Sequence, residues 1–336
     1  MTYTDIENIV QTPALFDRSH WGRIRLTGAD RVRFLHNQTT NNIEQLSAKE
    51  GCHTVFVTST GRTIDLATAY AFAEALLVVV SPGMSQQLYD WMDRYIFFSD
   101  KVVLKDESKE TFLFTVLGAG ADAVMQQIGA AEAVGKPAFS HQAFSLPKIG
   151  DIVVAASSEL STSGYTIFGK KEQAEAVKDT LVSAGAKVAT AEQWERLRIY
   201  QGRPAAGHEL TEDDNPLEAG LWHSISFEKG CYIGQETIAR LNTYKGVKKR
   251  LWGLKLSAPV PVGAIILAEG EKVGKVTSAV ETDGGVFGLG YVRTKAGGEG
   301  LDVIVNAEEK TVAGEVIALP FIRHDYPAAT EPTKNR

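Results

Sequence analysis

The sequence predicts an α+β protein that ends in a small all-β domain. Three observations lead there. Helix and strand periodicities alternate over the first two thirds of the 336 residues; only strands follow from about Lys248; and many of the 31 glycines fall in that last part. Glycine clusters of this kind fit strands that bend and pack in a compact barrel.

"GADRVRFLHNQTTNNIEQL" holds a helix near Asp30–Gln38, with Asp30 as its cap and Val32, Phe34 and Leu35 available to a core. "HTVFVTSTGRTIDLATAYAFAEALLVVVS" reads as strands around Val55–Val57, Ile64–Phe72 and Ala75–Val80, with turns at Ser59-Thr60-Gly61 and Ala73-Glu74. This is an antiparallel meander. Pro82-Gly83 ends it, and the next helix carries Leu88, Trp91, Met92 and Tyr95 at helical spacing. "TFLFTVLG" and "DIVVAAS" are strands; "ADAVMQQIGA", "KEQAEAVKDTLVSAGA" and "TAEQWERLRIYQG" are helices, the last stopped by Gly202 before Pro204. Beyond Lys248, "RLWGLKL", "AIILAEG", "KVGKVTSAVE", "GVFGLGYV", "LDVIVN" and "TVAGEVIAL" are short strands separated by turn residues, so a domain boundary falls near residues 245–250. A polar tail follows Asp325.

A composition of 44% hydrophobic and 23% charged residues is that of a globular protein, and a net charge of -6 gives no general attraction to nucleic acid or an anionic membrane. Any such contact needs a local basic patch. Two cysteines, Cys52 and Cys231, are too few for a disulfide framework and suit a reducing compartment. The acidic start "MTYTDIENIV" is unlike a signal or import peptide, and the longest apolar run, Ala75–Val80, is far short of the roughly 20 residues that span a bilayer. A soluble, cytoplasmic protein is expected. Seven histidines without HExxH or CxxC spacing argue against zinc, and two thiols cannot ligate an iron–sulfur cluster alone. GxGxxG after a strand, the Walker A loop and GxSxG are all missing, and "GAGADAV" reads as a plain helix entry.

The strongest local signal is "FEKGCYIGQETIAR", Phe227–Arg240. Gly234 starts a helix with Gln235 and Glu236 in its first turn, so Cys231 stands ahead of a positive helix end and two residues from Lys229. Both neighbours favour the thiolate. The competing reading is a small, buried apolar cysteine in a turn.

"PLEAGLWHSISFEKGCYIGQETIAR" closely resembles the KGC(Y/F)xGQE signature of the YgfZ-type folate-binding proteins, relatives of the glycine-cleavage T-protein, an aminomethyltransferase. "GADRVRFLHNQTTNNI", "TSTGRTIDLA", "LSTSGYTIF" and "RLRIYQGRPAAGHEL" resemble further blocks of that family in its order. The resemblance implies a T-protein-like folate-binding region of intertwined α+β lobes over residues 1–247, a β-barrel over 248–325 and a polar tail over 326–336. It implies tetrahydrofolate, or a one-carbon derivative, in a central cavity, and a role in iron–sulfur cluster assembly or repair with Cys231 as the functional thiol and Lys229 beside it. Gly230, Tyr232, Gly234, Gln235 and Glu236 complete the signature. The partners implied are a reduced folate and iron–sulfur enzymes or their assembly machinery, with no membrane and no nucleic acid.

Within that resemblance, Asp65 in "GRTID" occupies the place of a T-protein aspartate that orients folate, and Thr166 stands where the T-protein has an acidic pterin anchor. A hydroxyl replaces only part of a carboxylate's bidentate grip on a pterin, so modest folate affinity is expected. Arg198, Arg203 and Arg240 are candidates for the folate carboxylates, because the guanidinium fork matches them; each is equally readable as a surface charge. Glu218 in "PLEAG" reads as structural. The basic run "YKGVKKRL", with Tyr244, Lys245, Lys248, Lys249 and Arg250, is a solvated linker, a polyglutamate or acidic-partner site, or, least of all, an RNA contact. Two rival functions remain: a tetrahydrofolate-dependent aminomethyltransferase, and an interaction module without a small ligand.

Overall fold

All nine residues of Thr63–Ala71 are buried, as in a central strand with both faces covered. The computed structural model describes residues 9–282, 285–307 and 310–324, so the polar tail lies outside the described residues. The first sheet runs β3 (Gly51–Val57), β4 (Thr63–Ala71), β5 (Ala75–Val80), β2 (Gly22–Thr27), β6 (Val103–Asp106), antiparallel throughout. The expected meander is its β3–β4–β5 portion, with the first strand extending back to Gly51. Helix α1 (Arg31–Gln38) buries Phe34 and Leu35 into this lobe, and α2 (Ser85–Asp93) buries Leu88 and Met92. Asp30 does occupy the cap position of α1, but its side chain makes no capping bond; it accepts from the Lys101 amide at 2.9 Å instead. A tertiary tie has replaced the local one.

The second sheet runs β11 (Lys187–Ala189), β1 (Ala14–Asp17), β7 (Thr111–Leu117), β10 (Gly164–Lys170), β9 (Gly150–Ala155), β8 (His141–Leu146). Only the β1–β11 pair is parallel. Helices α3 (Ala121–Gln127) and α4 (Ala174–Ser183) pack Val124, Met125, Val177 and Leu181 into its core. Helix α5 (Ala191–Gln201) starts with a capping box, Thr190 Oγ1 accepting from the Gln193 amide at 3.2 Å while Gln193 returns a bond, and stops at Gly202, whose φ of +84° suits glycine. Helix α6 (Gln235–Thr243) follows the signature loop.

Six strands then close into a barrel in the order β12 (Lys249–Leu256), β15 (Gly285–Arg293), β14 (Glu271–Thr282), β13 (Ile265–Ala268), β16 (Asp302–Ala307), β17 (Lys310–Ile317). Closure removes the edges that short, Val-rich strands would otherwise expose. All six were legible as strands in the sequence. The barrel is fastened to the body by buried polar bonds: Arg198 donates to Ser278 Oγ at 3.1 Å, Ser278 donates to Glu209 at 2.5 Å, and the Tyr291 hydroxyl donates to the Glu209 carbonyl at 2.8 Å.

Candidate functional site

The signature loop is built around an inward-turned lysine. Lys229 is 7% exposed, and its Nζ donates to the carbonyls of His36, Thr39 and Asn41 at 2.5, 2.6 and 2.7 Å. The C-terminal carbonyls of a helix have no partner within it, and Lys229 supplies one across the fold. The Ile233 amide does the same for the Asn37 carbonyl at 3.0 Å. Burial pulls the Lys229 amine down to about 7, against the opposing pull of Cys52 and Glu44. Two residues along the chain, the Cys231 thiol stands outside while the Lys229 amine is turned inward onto three carbonyls.

Cys231 is exposed, so the reading of a buried filler falls. Cys52 is the sheltered cysteine, its thiol pushed up to about 12 by burial. Gly234 caps α6 at φ +80°, and a Cβ there would stand 2.5 Å from the Thr58 carbonyl oxygen, so only glycine fits between the loop and the β3–β4 turn. Gln235 accepts from the Tyr232 amide at 3.3 Å, and the Tyr232 ring lies 4.8 Å from the Lys229 ammonium. A Cβ at Gly230 would make an ordinary contact with the His36 ring at 3.8 Å, and Glu236 is exposed on the first turn of α6. The signature thus presents one exposed thiol on a loop pinned from beneath.

A second group of residues meets at the centre of the body. Arg18 is fully buried between the rings of Trp21 and Trp194, at 4.5 and 4.8 Å. Its Nε donates to Thr115 Oγ1 at 2.8 Å and its Nη2 reaches Thr166 Oγ1 at 3.5 Å, while Nη1 has no partner among the described residues. Arg203 lies 4.8 Å from Trp21 on another approach, with Nη1 on the Pro204 carbonyl at 3.2 Å and a buried Nε that also lacks a described partner. Burial brings Arg18 down to about 10, which leaves it charged at neutral pH. Both arginines line a cavity of about 250 Å³ together with Phe16, Trp21, Ser81 and Trp194. Buried donors normally find partners, so two guanidinium nitrogens without one, in residues that line a hollow, mark a candidate place for an acceptor-bearing ligand.

Asp65 stands behind that wall. It is fully buried, accepts from the Ser81 amide at 2.8 Å, and is pushed up to about 6 by burial against the pull of Ser81 and Arg203. Deeper still, Glu159 is strained at φ +67° and accepts from His53 at 2.9 Å, Thr68 at 2.6 Å and Tyr70 at 3.2 Å. Burial alone would raise its carboxyl, but the His53 bond and the charges of His53, Arg18 and Arg203 outweigh it and hold Glu159 well below the usual carboxylate range. Thr166 is buried beside this cluster and donates to the Ser157 carbonyl at 2.7 Å. A hydroxyl there gives Arg18 a dipole to lean on where an acid would give it an ion pair, which helps leave Nη1 open.

The expected arginines divide. Arg203 lines the cavity, and its buried Nε has no described partner. Arg198 lines it too, but its fork is occupied by Glu195 at 2.5 Å and Glu209 at 3.0 Å. Arg240 is exposed on α6 and does not line the cavity. Glu218 is buried and accepts from the Asn215 amide at 3.2 Å, a structural use. Arg18 escaped the sequence reading; its signal is an arginine set among Phe16, His20 and Trp21 in "FDRSHW", a charged residue in apolar company. No helix among the described residues is long and apolar enough to cross a membrane.

An α+β body with a cation-lined hollow beside β1 and α5, followed by a closed six-stranded C-terminal barrel, defines a recognisable class of protein. The chain belongs to the glycine cleavage T-protein family: residues 2–229 match the GCVT N-terminal domain and residues 249–322 match the glycine cleavage T-protein C-terminal barrel domain. It is 45% identical to a chloroplastic Arabidopsis thaliana protein named as a transferase, over 93% of this chain and 72% of that one. It is 29% identical to an aminomethyltransferase of Rubrobacter xylanophilus, over 92% of this chain and 83% of that one. The glycine cleavage aminomethyltransferase T of Bartonella henselae shares its fold, with a TM-score of 0.82 at 21% identity over 96% of this chain and 90% of that chain.

Proposed function

We propose that the protein binds a reduced folate in the Arg18–Trp21–Trp194–Arg203 cavity and acts as a YgfZ-type accessory to iron–sulfur enzymes through the exposed thiol of Cys231. The observation that carries the reading is a pair of buried guanidinium nitrogens without a described partner, Arg18 Nη1 and Arg203 Nε, in residues that line a hollow together with two indoles. The tetrahydropterin ring offers O4 and N1 as acceptors to such donors, and a hollow of about 250 Å³ suits that ring better than the whole molecule. The family relationship supports the ligand. The KGCYIGQE loop supports the accessory role, because it spends its lysine on structure and presents its cysteine to solvent.

Calorimetry with 5-formyl-tetrahydrofolate tests the ligand: binding at micromolar to low-millimolar Kd, lost in Arg203→Met, is expected, and no heat from the folded wild type overturns it. For the accessory role, cells lacking the protein regain a cluster-enzyme activity with wild type and not with Cys231→Ala. Full rescue by Cys231→Ala overturns that part. The transferase reading draws support from the aminomethyltransferase names among the relatives. Tetrahydrofolate-dependent release of ammonia from an aminomethylated lipoyl carrier by the pure protein would establish it instead.

A further inference from the structure

Between the two sheets of the body lies a hollow of about 710 Å³ that shares no lining residue with the Arg18–Arg203 cavity. Strand register divides it into an apolar half and a cationic half. On the apolar side, Phe168 of β10 stands opposite Val153 of β9, and Leu77 of β5 stands opposite Arg25 of β2, so each pair shares a face. Phe72, just beyond β4, sets its ring edge-on to Phe168 with the centroids 6.3 Å apart. Phe168 and Leu77 belong to a buried core cluster, whereas Phe72 and Val153 pack against that cluster and stay half-buried. The core is open at this point, and its apolar side chains line a hollow instead of one another.

Lys170 follows Phe168 by two residues on β10, which puts both on one face roughly 7 Å apart. The β7–β10 pairing sets Lys170 opposite Thr111, and the Lys171 amide donates to the Glu110 carbonyl at 2.8 Å, so Lys109 is drawn to the same rim. Lys109, Lys170 and Lys171 are exposed, line the hollow, and make no ion pair with any described residue. Of the other lining cations, Arg23 is buried and spent on Thr111 Oγ1 at 2.6 Å and the Trp21 carbonyl at 2.5 Å. Arg25 pairs with Glu107 at 2.8 Å, and its guanidinium lies 5.6 Å from the Phe72 ring, where the two halves meet. Among the lining acids, Glu110 is held by Lys105 at 2.5 Å and Asp151 by the Ser145 hydroxyl, which leaves Glu172 without a described partner. Three uncommitted ammonium groups against one uncommitted carboxylate is an excess opposite in sign to the chain's net charge of -6.

We propose that the hollow is a binding site for a small amphipathic anion, a carboxylate carried on a flat apolar body. The body lies against Phe72, Leu77, Val153 and Phe168, and the carboxylate sits among Lys109, Lys170 and Lys171. Two phenyl rings set edge-on present a ring face and a ring edge together, the pair of surfaces that an aromatic guest packs against best. The volume falls within the roughly 300–1,000 Å³ of small-molecule sites. A folded protein partner needs a broad face, on the order of 800 Å², whereas the apolar surface here is recessed behind a charged rim.

The test titrates 2-naphthoate into the full-length protein by calorimetry at low salt, beside 2-naphthalenemethanol, which keeps the body without the charge, and acetate, which keeps the charge without the body. One naphthoate per chain is expected, with the alcohol at least about tenfold weaker and no heat from acetate, because both halves of the hollow are needed. Lys109→Ala/Lys170→Ala/Lys171→Ala, checked for an unchanged melting temperature, is expected to weaken naphthoate at least about tenfold and to leave the alcohol where it was. Lys255→Ala/Lys310→Ala, at two exposed lysines of the barrel, is expected to change neither. No heat from naphthoate, equal affinities for naphthoate and the alcohol, or a triple variant that binds like the wild type overturns the proposal. So does a naphthoate signal that saturating 5-formyl-tetrahydrofolate abolishes, since the hollow would then belong to the folate site. Naphthoate that binds as expected while 5-formyl-tetrahydrofolate gives no heat leaves this site standing and sinks the folate reading alone. A protein that sediments as a dimer and takes up naphthoate only after dissociation has its hollow covered by a second copy, and that result overturns the small-ligand assignment as well.

Discussion

Replacing Lys229 by methionine removes three hydrogen bonds at once, to the carbonyls of His36, Thr39 and Asn41, and keeps the aliphatic stem that fills the space. For the ammonium, at a net value of roughly 1 kcal/mol for each bond, the loss is about 3 kcal/mol, and for the neutral amine above about pH 7, which has two donors, about 2 kcal/mol. Part of it is returned, because burial already disfavours the ammonium, as its descent to about 7 shows. A net destabilisation of about 2 kcal/mol is expected, or about 4–8 °C in melting temperature for a domain of this size. The pH dependence gives a second handle. The folded-state value of about 7 lies below the ordinary 10.5, so between the two the unfolded chain holds more protons and folding is favoured as pH rises. The wild type gains up to about 1.4 kcal/mol per pH unit in that window, and Lys229→Met lacks this gain. Thermal unfolding of both proteins from pH 7 to 9, followed by tryptophan fluorescence, reads both effects. A variant that melts with the wild type and runs parallel to it in pH refutes the capping role.

The two cysteines should part company under iodoacetamide at neutral pH: Cys231 labels within minutes in the native protein, and Cys52, pushed up to about 12 by burial, labels only on unfolding. Comparable native rates, read by mass spectrometry of tryptic peptides, would contradict the placement of both. Arg198→Met strands the buried Glu209 carboxylate and severs the bond to Ser278, so a loss of about 3–5 kcal/mol is expected, with barrel amides gaining hydrogen exchange first. Uniform exchange across body and barrel would mean that the barrel does not depend on this tie.

The elements that periodicity marks, α5 with its capping box and stop glycine and the six barrel strands, were legible because local chemistry and packing agree there. The short strands β1, β6 and β11 were not, since three- and four-residue strands carry too little pattern to separate from loop. In the site, Gly234 was readable as a helix start because its conformation is a local demand. The direction of Lys229 was not. Its long stem reaches carbonyls almost two hundred residues away in sequence, and neighbourhood along the chain carries no sign of that inward turn. Arg198 was chosen as a partner for carboxylates and has them, but they are the protein's own Glu195 and Glu209. Arg18 was missed because an arginine earns a buried place only from tertiary surroundings, here two indoles and two threonine hydroxyls.

The lysine that closes the end of α1 also sets a timetable for biosynthesis. The residues it joins are separated by 193, 190 and 188 positions. At roughly 5–20 residues per second the ribosome needs on the order of 10–40 s to deliver Lys229 after α1 has emerged. Throughout that interval the end of α1 lacks its lysine, and for most of it the Leu77 and Val79 face of β5 waits for the second sheet and Trp194 that cover it. Truncated chains ending before the signature are therefore expected to be chaperone clients, and a substitution in KGCYIGQE can lower the cellular amount of protein without touching any reaction.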